Sequence, residues 1–189
     1  MSTVRQVLPS AYLAGGAIRD YDNGRPVKDF DVFFIGEVNW TELDKVLQGS
    51  YSYSRSCNGA YIDAAREVIE SFTYTSLTGM PDLNFVQLDP TFNPADIIER
   101  VDFGLCQIGY DLMGVVSTPS YTYDKEHRCL TLTRAETVAG VQRSLKRYKR
   151  LSEKYQGWPL NVPAEFNELY DAACRANAYE AAAAEVFPN

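Results

Sequence analysis

The hydropathy pattern of the chain changes character at Thr133, and that change limits the folds open to it. Short β-like runs alternate with short helical ones before this point, and only long helical runs follow it. Residues 29–35, Asp-Phe-Asp-Val-Phe-Phe-Ile, are rich in aromatic and β-branched side chains and read as a strand. Residues 11–14, 51–55, 71–75 and 83–88 read as further strands, and 103–110 with 114–116 as a pair turning near Asp111. Short helices are expected over 40–47, with Thr41 as N-cap, over 62–69, and over 93–100 behind Asn93-Pro94. Residues 134–155 contain no proline, and 164–187 form an alanine-rich run behind Pro163. Strands mixed with helices, then helices alone, predict an α+β class rather than a doubly wound sheet. The expected division is a head over residues 1–132 and a helical tail over 133–189.

Composition removes several classes of function. The 189 residues are 46% hydrophobic and 23% charged, an ordinary globular balance with enough apolar material to form a core without disulfides or structural metal. No run approaches the roughly 18 apolar residues of a membrane helix, so no membrane partner is expected. Residues 1–9 carry one Arg and no apolar stretch, which reads as no signal peptide. Cys57, Cys106, Cys129 and Cys174 are scattered without a C-x-x-C, and His127 is the single histidine. That set suits neither a zinc site nor a disulfide framework, and free thiols in a reducing cytoplasm are expected. A Ser-His or Cys-His nucleophile would have to run through His127, in the polar, turn-like stretch 124–128, and is set aside.

Chemistry concentrates in Gly15-Gly16-Ala17-Ile18-Arg19-Asp20 and, a few residues on, Gly24-Arg25-Pro26-Val27-Lys28-Asp29-Phe30-Asp31. Two glycines after a buried run let backbone approach a ligand and offer N–H groups to an anion. Asp29 and Asp31 sit at i and i+2 of a strand, so both carboxylates share one face and Phe30 takes the other. Adjacent carboxylates repel unless a cation separates them, and at a strand tip they suit hard divalent ions. Glycines for phosphate and a D-x-D for metal together describe metal-assisted nucleotide transfer.

This stretch resembles the head-domain signature of class II nucleotidyltransferases, the tRNA CCA-adding enzymes and bacterial poly(A) polymerases of the DNA polymerase β-like superfamily. Gly15, Gly16, Arg19, Asp20, Gly24, Arg25, Asp29 and Asp31 fall at the family's spacing, and only the usually aliphatic connector departs, reading Tyr21-Asp22-Asn23. A looser match lies at Arg100-Val101-Asp102-Phe103, where the family has Arg-Asp-Phe. The resemblance implies a polymerase β-like head of small mixed sheet and flanking helices. It implies an NTP substrate, Mg²⁺ or Mn²⁺ at Asp29 and Asp31, and Asp102 as a further catalytic acid. Nucleotide binding falls to Gly15, Gly16, Arg19, Arg25, Lys28 and Arg100. The family also places a third carboxylate on a neighbouring strand, where residues 83–89 offer Asn84 or Gln87 instead, and Asp89 or Asp102 would have to substitute. The CCA-adding enzymes' nucleotide-selecting Glu-Asp-x-x-Arg motif is absent, and the compact chain resembles stand-alone members often encoded by bacteriophages.

The formal net charge is −7, yet residues 143–154 carry +5, so the remainder sums to −12. Arg143, Lys146, Arg147 and Arg150 recur at helical spacing and would bind phosphate or the backbone of a tRNA or small RNA. Three readings follow. The first is a metal-dependent nucleotidyltransferase with an RNA 3′ end as favoured acceptor; the others are a degenerate nucleotide- or RNA-binding regulator and a protein AMP-transferase of the toxin–antitoxin kind.

Overall fold

The computed structural model describes residues 2–54, 68–111 and 113–186. Cys57 and most of the helix expected over 62–69 lie outside them. The chain forms two compact units, Met1–Glu99 with Cys106–Ser117, and Arg100–Leu105 with Thr118–Asn189.

The first unit contains, in chain order, α1 (Ser2–Val7), β1 (Tyr12–Ala14), α2 (Gly16–Asp22), β2 (Asp29–Ile35), α3 (Trp40–Leu47) and β3 (Tyr51–Ser54). Strands β4 (Val68–Ser76), β5 (Asp82–Leu88), β6 (Ile108–Tyr110) and β7 (Val115–Ser117) complete it. All seven strands join one sheet in the order β3-β4-β5-β2-β1-β6-β7. β2 and β5 run parallel, and the other neighbours pair antiparallel. Together with the helices of the second unit this is the expected α+β class.

Period-two alternation sorts the sheet into two apolar faces. Leu13, Val32, Phe34, Tyr74, Leu83 and Phe85 pack with Val4, Leu8, Leu43 and Leu47, and Phe30 adds to that cluster. Tyr12, Ala14, Phe33, Val86 and Leu88 form the other face with Phe92 and Ile98. Burial on both faces explains why β2 reads as a near-continuous apolar run after Asp31. Asp29 and Asp31 share the parity of Phe33 and stand on the second face.

Three expectations need correction. The N-cap of α3 is Asn39, whose side chain accepts from the amide of Glu42 at 3.2 Å. The helix starts at Trp40, so Thr41 lies inside its first turn, too far along to cap it. The expected strand 103–110 is shorter: Gly104–Cys106 is a 3-10 turn, Phe103 makes an isolated bridge to Leu132, and only Ile108–Tyr110 joins the sheet. Likewise the helix expected over 93–100 is a single 3-10 turn, Pro94–Ile97.

The second unit contains α4 (Pro119–His127), β8 (Leu130–Thr131), α5 (Val138–Lys154), β9 (Leu160–Asn161) and α6 (Asn167–Val186). Residues 124–128 are therefore not a turn-like stretch: they close α4. Thr118 caps that helix and Pro119 occupies its first turn, where a missing N–H costs nothing. His127 stacks on Tyr123 with ring centroids 4.1 Å apart.

The organising group of this unit is Asp124, which is fully buried. It accepts from the amides of Leu105 (2.7 Å) and Thr131 (2.9 Å), the Thr131 hydroxyl (2.5 Å) and the Cys129 thiol (3.3 Å). A buried carboxylate is tolerable only when hydrogen-bonded in this way. Burial foremost pushes the Cys129 thiol pKa up, so the sulfur keeps the proton it donates. Gly104 is required by this packing, since a Cβ there would lie 2.8 Å from Asp124 Oδ2 and 2.9 Å from the Ser120 carbonyl. Gly104→Ala is expected to destabilise the protein by about 1–3 kcal/mol through overpacking, read as a lowered midpoint in denaturant unfolding followed by circular dichroism.

Candidate functional site

Strand β1 ends at Ala14 and the chain turns at Gly15, whose φ of 85° and ψ of −136° suit glycine alone. Its amide donates to the Ile108 carbonyl at 3.4 Å. The contribution of Gly15 is therefore one of shape: a Cβ there would lie 3.4 Å from Asp31 Oδ2, so the turn passes directly against that carboxylate. Gly16 opens α2.

Arg19 and Asp20 do not lie on the surface of α2. They are 6% and 3% exposed. The guanidinium donates through Nε to Asp20 Oδ1 at 2.9 Å and through Nη1 to Cys106 Sγ at 3.0 Å. The departing connector ends the helix, with the Asn23 side chain donating to the Arg19 carbonyl at 2.8 Å and the Arg25 amide to the Asp20 carbonyl at 2.7 Å. Arg25 and Lys28 are exposed on the way to β2.

The register of the sheet brings the acidic strand and its neighbours together. Ala14 pairs with Asp31, Asp31 with Asn84, and Asn84 with Thr73. Asn84 Nδ2 donates to Asp31 Oδ1 at 2.9 Å, and the Thr73 hydroxyl donates to Asn84 Oδ1 at 2.8 Å. Asn84 thus stands on the strand where the resemblance places a third acid. Gln87 lies on the same strand but not opposite Asp31: it pairs with Phe34, and its side chain donates to the Gly36 carbonyl at 3.0 Å. Asp89 lies beyond the far end of β5, ~17 Å along the strand from Asn84 at ~3.3 Å per residue. Hydrogen bonds from Thr91 hold its pKa below the usual carboxylate range. Asp82, opposite Asp29, accepts from the Ser76 amide at 2.8 Å. Sequence reasoning missed both Thr73 and Cys106, because strand register and long-range contacts carry no local signal.

Among the described residues no group of three or more His, Cys, Asp or Glu side chains could hold a metal. A pair of carboxylates on one strand face nevertheless fits Mg²⁺, which takes one or two carboxylates and fills its shell with phosphate and water.

In the second unit, Asp102 is held by the Ser144 hydroxyl at 2.7 Å and Arg147 Nη1 at 3.0 Å. That clasp ties the 100–105 segment to α5. Arg100 is exposed, and its carbonyl accepts from Arg134 at 3.4 Å. Arg143, Lys146 and Arg150 are exposed along α5, while Arg147 is drawn toward Asp102.

A family model described as Gabija anti-defense 2 family protein matches residues 3–128. No curated protein matches the chain. Among solved structures, a tRNA-processing enzyme complex aligns with 88% of this chain at 16% identity and a TM-score of 0.62, over 44% of its own length. A CCA-adding enzyme with CTP aligns with 90% of the chain at 14% identity and a TM-score of 0.61, over 40% of its own length. The Thermotoga maritima CCA-adding enzyme complexed with tRNA gives 88%, 12% and 0.60, over 38% of its own length. The chain thus spans 38–44% of these proteins. At such identities the likeness is one of fold: a mixed sheet flanked by helices and followed by a helical region. None of the described helices is long and apolar enough to cross a membrane.

Arg19→Met is expected to destabilise the protein by roughly 3–5 kcal/mol, because it removes the buried guanidinium that donates to Asp20 Oδ1. Chemical denaturation monitored by tryptophan fluorescence measures this without reference to activity.

Proposed function

The chain belongs to the Gabija anti-defense 2 family, and from that premise we propose that it counters Gabija defence as a metal-dependent nucleotidyltransferase. It would move a nucleoside monophosphate from an NTP to an acceptor hydroxyl, the acceptor oxygen replacing pyrophosphate at the α-phosphate. The observation that carries this reading is the pair Asp29 and Asp31 on one face of β2, with the Gly15 turn against Asp31 Oδ2. Related folds described as complexes with CTP, ATP and tRNA support it.

In this proposal Asp29 and Asp31 would hold Mg²⁺ or Mn²⁺, which when bound would supply positive charge to offset that on the transferring phosphoryl group. Gly15 and Gly16 give the triphosphate close access, and Arg25 and Lys28 supply exposed positive charge beside it. Arg19 positions the turn through its buried pair with Asp20 rather than meeting phosphate from the surface. Asp102 and Arg100 belong to the second unit, where Asp102 clasps α5 through Ser144 and Arg147 and the Arg100 carbonyl accepts from Arg134. The exposed Arg143, Lys146 and Arg150 would draw in an anionic acceptor such as RNA, with Arg147 at the edge of that face. Action is proposed in the cytoplasm of the host cell, the setting of a phage-type member.

Asn84 favours a second reading, a nucleotide binder without turnover, because a neutral amide stands where the resemblance calls for an acid. Both readings meet in one experiment. Nucleotides labelled at the α-phosphate, each in turn, are incubated with Mg²⁺ or Mn²⁺ and lysates of cells with and without the Gabija system. Label is expected in protein or RNA with the wild type and at background with Asp29→Ala/Asp31→Ala. Label that persists in the double mutant overturns the proposal, and absence of label with nucleotide binding retained selects the binder.

A further inference from the structure

The nucleotidyltransferase reading leaves Asn84 without a role, and the hydrogen bonds around it supply one. An ionised carboxylate can only accept, so the Asn84 amide must turn its NH₂ toward Asp31. Its carbonyl oxygen then points to β4, where the Thr73 hydroxyl satisfies it at 2.8 Å. In that orientation Asn84 presents no oxygen to a cation at Asp31. The same contact fixes which oxygen of Asp31 does what: Oδ1 receives Asn84 Nδ2 at 2.9 Å, and Oδ2 faces the Gly15 turn.

We infer that Asn84, itself held by Thr73, is a positioning residue that pins Asp31 Oδ1 and aims Oδ2 at the turn, making a two-carboxylate site that takes a divalent ion together with nucleotide and not ahead of it. The inference rests on the nucleotidyltransferase reading and goes beyond it. Two acids attract a free cation less than three, and Mg²⁺ bound by one or two carboxylates ordinarily relies on substrate phosphates for the rest of its shell. Groups that orient a metal ligand through hydrogen bonds influence affinity without touching the metal.

The test uses Mn²⁺ as probe, with electron paramagnetic resonance reading the free ion, alone and with a non-hydrolysable ATP or CTP analogue. The full-length wild type runs beside Asn84→Ala, Asn84→Asp, Thr73→Val and Asp29→Ala/Asp31→Ala, and a thermal melt of each variant reports folding separately. The wild type is expected to bind Mn²⁺ much more tightly with the analogue than without it. Asn84→Ala is expected to weaken the Mn²⁺–analogue complex by about tenfold or more, and Thr73→Val in the same direction by less. Asn84→Asp is expected to tighten Mn²⁺ binding without nucleotide by about tenfold, as an added charged ligand should. Should Asn84→Ala fail to fold, Thr73→Val and Asn84→Asp decide the matter. Equal Mn²⁺ affinity with and without the analogue in the wild type, or folded Asn84 and Thr73 variants that bind as the wild type does, overturns the inference. If Asp29→Ala/Asp31→Ala loses the Mn²⁺–analogue complex while the Asn84 and Thr73 variants keep wild-type binding, only the positioning role falls. If the double mutant keeps the complex, the nucleotidyltransferase reading falls with it.

Discussion

The parallel pairing of β2 with β5, residue opposite residue from Asp29 to Ile35, sets Asp29 beside Asp82 and Asp31 beside Asn84. A slip by one residue would turn Asp31 to the face of Phe30 and carry Phe34 out of its buried cluster. The register is held by burial on both sides, since Val32, Phe34 and Phe85 pack into one cluster while Phe33, Val86 and Leu88 pack into the other. Hydrophobic burial, a non-directional effect, thereby fixes a directional one: Asn84 opposite Asp31, and Thr73 opposite Asn84.

Around that strand pair the polar groups are arranged by what each can donate or accept. Gly15 tolerates a positive φ and lets the turn meet Asp31, and the buried Arg19–Asp20 pair anchors the helix that follows. A fully desolvated ion pair is weak evidence of net stabilisation, yet removing one partner is severe, so this pair acts chiefly as a constraint on geometry. In the second unit the buried Asp124 has the corresponding part, gathering Leu105, β8 and the end of α4 through donors from Leu105, Cys129 and Thr131.

Much of this was legible in the sequence wherever a local pattern sufficed. β2 and α3 fall at the expected residues because an apolar, β-branched and aromatic run and an amphipathic turn each declare themselves within a few positions. The glycines and the D-x-D were legible for the same reason, being contiguous. Helix α4 was not read because Pro119–His127 mixes tyrosines with polar residues and lacks an apolar stripe, although Thr118-Pro119 announces its start. The burial of Arg19 had no local signal, because Cys106, to which it donates, is 87 positions away. Asn84 and Gln87 were equally good candidates on paper, and only the strand register separates them. The burial of Asp124 could not be foreseen from a run of charged neighbours.

The most direct test of the central claim is crystallography of the protein with Mn²⁺ and a non-hydrolysable nucleotide, locating the metal by its anomalous scattering. Anomalous density is expected at Asp29 and Asp31, with nucleotide at the Gly15-Gly16 turn and Asn84 still hydrogen-bonded to Asp31 Oδ1. A nucleotide bound away from that turn, or density for the metal at neither aspartate, would contradict that claim.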